Sequence, residues 1–438
     1  MADGMSNLVK RSFDVDRAGL GPLPPATYAI LFALIGPALG YGGIYVSHFC
    51  IIIYFGWLLL LPRSIESTVL SSSAMGEILL GATILLYCLL SLGWSQDPAP
   101  VLMNFMMLLL SFATFSMAAI TTSRTLLLSE SIRALKIYFL ILTAACAVEM
   151  LSGWRFPISR YSSFQGNLDN IDIAPMLLNV PTAFYGNQNN LALMCVCAIP
   201  LAALFANSAF RYFVVGSVSF IIVMSGSRIA FAVLILQWLI LLVARAKKYL
   251  VLLGVAAFAI YLSMSAVLAD MPVCGEYLPD RVCIVTNVIA ENLELNELAA
   301  GSDSIGVRVS LSLQIWNLWI ARPWFGVGPG RLESLISAEH FQAGAITNPH
   351  NPPLEILAEY GIVGALPWIS AWLLMLRALS NIPDQRLRRN FVLIGLMAPI
   401  ASITVSSVYF FTAFWALMGV VLGLARRLII PKASERPL

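Results

Sequence analysis

Charge is what this chain has least of. Only 11% of its 438 residues are Asp, Glu, Lys or Arg, about half the share found in a soluble domain, which excludes a water-facing fold of this size. Histidine is rarer still: His48, His340 and His350 are the whole set. No CxxC or HExxH spacing occurs, so no structural or catalytic zinc is expected and no cofactor is implied. The first half shows no repeat in the second, which argues against the paired halves of many secondary transporters. The N-terminus also lacks the short apolar core and small-residue cleavage site of a removable signal peptide.

What the chain has instead is apolar length. Hydrophobic residues make up 59% and the mean hydropathy is +0.84. From Tyr212 to Val243 the only charge is Arg228. A helix needs about 20 apolar residues to cross a hydrocarbon core of roughly 30 Å, so these runs read as membrane spans. The pattern predicts an all-α, polytopic helical bundle with about twelve spans: Thr27–Tyr41, Ile44–Leu61, Met75–Leu92, Val101–Ile120, Ile137–Leu151, Leu191–Ala206, Tyr212–Met224, Ile229–Val243, Tyr249–Leu268, Leu354–Leu376, Phe391–Val405 and Tyr409–Leu424. Gly36, Gly40, Gly42 and Gly43 mark a tight turn between the first two.

Basic residues orient the bundle, because Lys and Arg favour cytoplasmic loops. With the N-terminus inside, all but seven of the 26 fall on the cytoplasmic side, among them Arg63, Arg124, Lys136, Lys247, Arg388 and Arg427. The expected organisation is a cytoplasmic segment 1–26, spans one to nine over 27–268, a periplasmic loop with short helices over 269–353, the last three spans over 354–425, and a cytoplasmic tail 426–438. Both termini are therefore expected in the cytoplasm. The seven outer basic residues, Arg155, Arg160, Arg228, Arg281, Arg308, Arg322 and Arg331, are all arginine. Arginine is the side chain suited to forked binding of phosphate or carboxylate.

Five cysteines, Cys50, Cys88, Cys146, Cys195 and Cys197, lie in or beside spans and read as apolar filler. Cys274 and Cys283 lie in the outer loop with eight residues between them, including Gly275 and Pro279. In an oxidising compartment that spacing allows a small disulfide-closed loop.

The outer loop of about 85 residues is far longer than a connector needs to be, and loops of that length are usually functional. Within it, Asn287–Ala300 and Ser304–Ile320 read as helices, the second carrying Ile305, Val309, Leu313, Trp316 and Ile320 on one stripe. Trp316, Trp319 and Trp324 suit a helix lying at the membrane interface. Phe325-Gly326-Val327-Gly328-Pro329-Gly330 then forms a glycine-rich turn into a short helix from Arg331. Such a turn can aim backbone N–H groups at an anion, although an ordinary turn is the commoner outcome.

Three residues concentrate the chemistry. Arg228, in Ser225-Gly226-Ser227-Arg228, sits between two apolar spans with almost no loop, where a cation needs a polar cavity or an anion; the alternative is a snorkelling helix-end arginine. Arg308 opens the interfacial helix. His350, in Asn348-Pro349-His350-Asn351-Pro352-Pro353, precedes the tenth span and can take a proton from a hydroxyl at neutral pH.

Taken in order, these segments resemble the O-antigen ligase and polysaccharide polymerase superfamily. The likeness runs through Leu92-Gly93-Trp94-Ser95-Gln96-Asp97-Pro98, Tyr185-Gly186-Asn187-Gln188-Asn189-Asn190, Ser225 to Arg228, Arg308 to Trp316, Pro323 to Gly328, Pro349-His350-Asn351, and Glu355 through Glu359-Tyr360-Gly361-Ile362-Val363-Gly364. The resemblance implies a GT-C-like, metal-independent, inverting glycosyltransferase acting at the periplasmic face. Its donor is a glycan on undecaprenyl diphosphate. Its acceptor is a lipid A–core sugar in a ligase, or another carrier-linked repeat unit in a polymerase. Carried over, His350 is the base and Arg228 and Arg308 hold the diphosphate, with Arg155, Arg160 and Asn187 as further substrate-binding candidates. Membrane lipids are the other expected partner, and nucleic acid is not. A loop carboxylate, Glu339 or Glu355, is the competing base. A twelve-span transporter is the reading from another class. It would place ionisable groups at mid-membrane on broken helices, whereas here the polar groups gather at the outer boundary.

Overall fold

The computed structural model describes residues 25–60, 72–123, 128–159, 180–243, 304–339 and 351–429, apart from a few single positions within them. These form α1 (Pro25–Ile35), β1 (Gly40–Tyr41), β2 (Ile44–Tyr45), α2 (Val46–Leu60), α3 (Ser72–Leu90), α4 (Pro98–Ser123), α5 (Leu128–Ser152), α6 (Gln188–Leu201), α7 (Ser208–Met224), α8 (Arg228–Val243), α9 (Ser304–Ala321), α10 (Leu332–Glu339), α11 (Pro352–Ser380), α12 (Gln385–Ser402) and α13 (Thr412–Ile429). A helix stands at every expected span except Tyr249–Leu268, which lies outside the described residues together with Asn287–Ala300. Four helices are by themselves long and apolar enough to cross a membrane: Pro98–Ser123, Ser129–Ser152, Pro352–Ser380 and Thr412–Ile429. Their outward faces carry large apolar side chains such as Met103, Met106, Val148, Leu366 and Leu373. Water does not tolerate that much continuous apolar surface. The chain is a multi-pass membrane protein.

The first expected span ends early. α1 stops at Ile35, where Gly36 takes φ +33° and Pro37 follows. The glycine cluster then makes a two-residue antiparallel ladder, Gly40 opposite Tyr45 and Tyr41 opposite Ile44, in place of a bare turn.

α4 and α13 make the closest packing. Gly419 and Gly423 lie four residues apart on α13 and face the Phe115 and Ala119 carbonyls and the Thr122 side chain. A side chain at either glycine has no room, as expected where small residues let membrane helices approach. Two polar side chains inside the bundle tie one helix to the backbone of another. Gln237 Nε2 donates to the Val196 carbonyl at 2.9 Å, joining α8 to α6, and Trp372 Nε1 donates to Gly395 O at 3.0 Å, joining α11 to α12. α6 lies at the centre, with Leu191 through Ala198 fully buried.

The two prolines after His350-Asn351 fit the helix entry they precede. Asn351 caps α11, its Oδ1 accepting from Leu354 N at 3.4 Å, and Pro352 and Pro353 occupy first-turn positions that have no intrahelical donor to lose.

A broken helix locked by a glycine turn

The long α11 is interrupted at Gly361, which adopts φ +63° and ψ −173°. Only glycine occupies that region without strain. The break exchanges helical hydrogen bonds for bonds to the glycine-rich turn after α9. The Ala358 carbonyl accepts from Val327 N at 2.8 Å and the Glu359 carbonyl from Gly328 N at 3.0 Å. On the far side of the break, Ile362 N donates to Pro323 O at 2.8 Å and Val363 N to Trp324 O at 3.1 Å. The two strands of chain lie so close that a Cβ at Gly326 would fall within 2.6 Å of the Ala358 carbonyl oxygen. Gly326, Gly328 and Gly330 all take positive φ, at +68°, +105° and +75°.

Side chains from two other helices seal the junction. Tyr87 of α3 donates its hydroxyl to the Tyr360 carbonyl at 2.6 Å and also lies 3.0 Å from the Phe325 carbonyl. The Tyr87 ring meets Trp94, which in turn packs on Phe325. The Tyr360 hydroxyl donates to Asn104 Oδ1 of α4 at 2.7 Å. Behind them, α9 and α10 pack on the start of α11 through Leu311, Ile315, Leu332, Ile336 and Ala358. The Trp316 and Ile320 end of the α9 stripe faces outward. Trp316 and Ile320 are exposed, beside exposed Trp324 and Phe325, which leaves an apolar outer face suited to a membrane interface.

This junction holds two buried carboxylates one helical turn apart. Glu355 accepts from the Tyr409 hydroxyl at 2.6 Å and from Asn351 N at 3.4 Å. Glu359 accepts from Leu332 N at 3.2 Å. The glycine turn is therefore a docking device, since its N–H groups at Val327 and Gly328 are taken by α11 carbonyls and the amide that follows it at Leu332 by the Glu359 carboxylate. They are not available as a cradle for a ligand anion.

Arg331 stands between the turn and α10. It is only 8% exposed, and its Nε has no hydrogen-bond partner.

The other expected site residues fall as follows. Arg228 is the first residue of α8, half-buried after a sharp turn at Gly226, whose φ is +65°. Ser225 and Ser227 beside it are buried, with Ser227 N donating to Ser225 Oγ at 3.3 Å. Arg308 lies in α9, three residues before Leu311. His350, His340, Arg160, Cys274 and Cys283 lie outside the described residues. Glu339 is the last residue of α10.

Arg155 is fully buried and pairs with Glu149 at 3.5 Å, while its Nη1 donates to the Val180 carbonyl. Glu149 also accepts from Thr182 N and Ala183 N, both at 2.7 Å. Those bonds hold Ala183 at φ +44°, an unusual conformation for a residue with a Cβ. Arg155 thus braces the segment ahead of α6. Asn187 caps α6, its Oδ1 accepting from Asn189 N at 2.8 Å. In the same segment the Tyr185 hydroxyl bonds the Tyr138 hydroxyl and the Leu34 carbonyl. Burial pushes the Tyr185 phenol well above its ordinary value, with Tyr138 adding to the shift, so it acts as a neutral hydrogen-bonding group.

Residues 213–369 match the protein family described as O-antigen ligase. The matched stretch begins in α7, takes in Arg228, Arg308, Arg331, His350, Glu355 and Glu359, and ends just beyond the break in α11. No curated protein matches the chain.

Proposed function

We propose that this chain, whose residues 213–369 match the O-antigen ligase family, is a membrane glycosyltransferase of the ligase kind, moving a glycan from undecaprenyl diphosphate to a sugar hydroxyl of lipid A–core at the periplasmic face. The observation that supports this reading is the family match itself, which encloses Arg228, Arg308 and His350 in one stretch. In the proposed reaction the acceptor hydroxyl oxygen attacks the anomeric carbon from the face opposite the diphosphate. The bond from that carbon to the phosphate oxygen breaks, and the lipid diphosphate leaves with the electron pair. His350 takes the hydroxyl proton. Arg228 and Arg308 stabilise the charge that grows on the diphosphate. Arg155 and Asn187 contribute by fixing the segment before α6, and Arg160 is kept as a substrate-binding candidate.

Glu355 is the competing base, since it lies five residues after His350 and accepts from Asn351 N. Transfer assays on purified variants separate the two. His350→Ala is expected to lower turnover by roughly 10²–10⁴-fold while leaving carrier affinity nearly unchanged; near-normal turnover in His350→Ala, with loss in Glu355→Gln, would assign the base to Glu355. Deleting the gene and resolving cell lipopolysaccharide on a gel separates ligase from polymerase. Loss of all glycan from the core is the ligase result, and a single capped repeat is the polymerase result.

A further inference from the structure

We infer that Arg331 is a phosphoryl-binding residue, a third arginine that meets the anionic head of a lipid-linked substrate; this rests on the glycosyltransferase reading above. The inference starts from an energetic imbalance. An arginine that is taken out of water without a partner carries an uncompensated charge, which is destabilising. Arg331 is more than nine-tenths buried, and its Nε makes no hydrogen bond. Among the described residues the only ion pair is Arg155 with Glu149.

The Glu359 carboxylate does not relieve it. Glu359 is bound to the N–H of Leu332, the residue after Arg331, and its second oxygen is itself buried and unpartnered. No hydrogen bond or ion pair joins the two side chains. The position adds to the imbalance, because Arg331 stands at the N-terminus of α10, where the helix dipole already places positive charge. Neither the fold nor the local field favours a cation here.

The surroundings hold the side chain in place. The Arg331 backbone donates to Gly328 O at 3.3 Å and accepts from Leu335 N at 3.1 Å. Its Cδ lies 3.5 Å from the point a Cβ on Gly328 would occupy. Glycine at that point leaves the arginine room, and the lock on α11 fixes where it stands. An anion arriving at a pre-placed guanidinium gains a charge-assisted, forked bond without first ordering a flexible chain.

The phosphoryl group has two sources, the diphosphate of the glycan carrier and the headgroup of a bilayer phospholipid. The test titrates farnesyl diphosphate, and separately phosphatidylglycerol in mixed micelles, into the purified full-length chain and into Arg331→Met and Arg331→Lys. Farnesyl diphosphate is expected to bind Arg331→Met roughly 10–100-fold more weakly than the wild type, with Arg331→Lys between them. Ligand-free Arg331→Met is expected to melt at or above the wild-type temperature, because it removes an unpaired buried charge; a purely structural arginine would lower it. If Arg331→Met loses affinity for phosphatidylglycerol alone, the phosphoryl site stands and its ligand is the bilayer. If the wild type fails to bind farnesyl diphosphate, the carrier reading of the function fails separately. Should Arg331→Met fold poorly, protection of Arg331 from phenylglyoxal by farnesyl diphosphate in the wild type, read by peptide mapping, gives the same answer. Equal affinity of the wild type and Arg331→Met for both ligands, or no protection by either, overturns the inference.

Discussion

Replacing Gly361 by alanine tests the central structural claim, that α11 is broken on purpose and held open by the glycine turn. The wild-type backbone at Gly361 lies at φ +63° and ψ −173°, a region that costs roughly 1–3 kcal/mol for a residue with a Cβ. The new methyl would also lie 2.6 Å from Gly326 N and closer still to the Trp324 carbonyl, both backbone groups that cannot rotate away. Relief requires the turn to retreat, which gives up the bonds from Ile362 N to Pro323 O and from Val363 N to Trp324 O. At a net 0.5–1.5 kcal/mol each, the two bonds and the strain together come to about 2–6 kcal/mol. Alanine simultaneously favours the continuous helix, in which the Ala358 and Glu359 carbonyls would take back the N–H groups of Ile362 and Val363. The expected result is a straightened α11 with the glycine turn expelled. Limited proteolysis should then cut near residues 322–331 in the variant and not in the wild type, and glycan transfer should be lost. A Gly361→Ala protein with wild-type melting temperature, protease pattern and transfer rate would refute the argument.

Tyr87→Phe removes the hydroxyl that serves the Tyr360 and Phe325 carbonyls and should cost about 1–3 kcal/mol, read as a lower melting temperature without a change in carrier affinity. Arg155→Met leaves Glu149 buried without its ion partner and should destabilise by about 3–5 kcal/mol; transfer per folded molecule at low temperature should stay near wild type if the arginine only braces the segment. Gly423→Leu places a side chain against Thr122 and the Ala119 carbonyl and should cost at least 1–3 kcal/mol, measured by thermal unfolding in detergent.

The helices were legible because apolar runs between basic clusters leave few other readings. The edges were less so. α1 ends at Ile35, where the apolar pattern continues to Tyr41, because hydropathy does not register the backbone turn that Gly36 and Pro37 impose. The order of motifs was enough to point to the family that residues 213–369 match. The geometry that links those motifs was not legible, because it depends on pairings between distant segments. The glycine-rich turn reads as an anion cradle or a plain connector when taken alone. Its function as a dock for α11 exists only through the carbonyls freed at Gly361, more than thirty residues later. Arg155 shows another case: the sequence offers a lone outer arginine, and only the fold places the Glu149 carboxylate beside it.

The same geometry explains why a broken helix suits this site. Within a membrane an interrupted span leaves backbone donors and acceptors without water, and it is tolerated only where protein groups replace the lost bonds. Here the replacement comes from a single turn, with Tyr87 closing the remaining carbonyl. The turn carries Arg331 at its end, and the helix carries Glu355 and Glu359 just before the break and follows directly on His350. Pairing the two backbones therefore fixes residues from separate parts of the chain against one another to within a hydrogen-bond length. A catalytic group misplaced by about 1 Å can lose 10²-fold in rate, and loops alone seldom hold that tolerance. The break is the means by which an otherwise irregular loop is held rigid against α11.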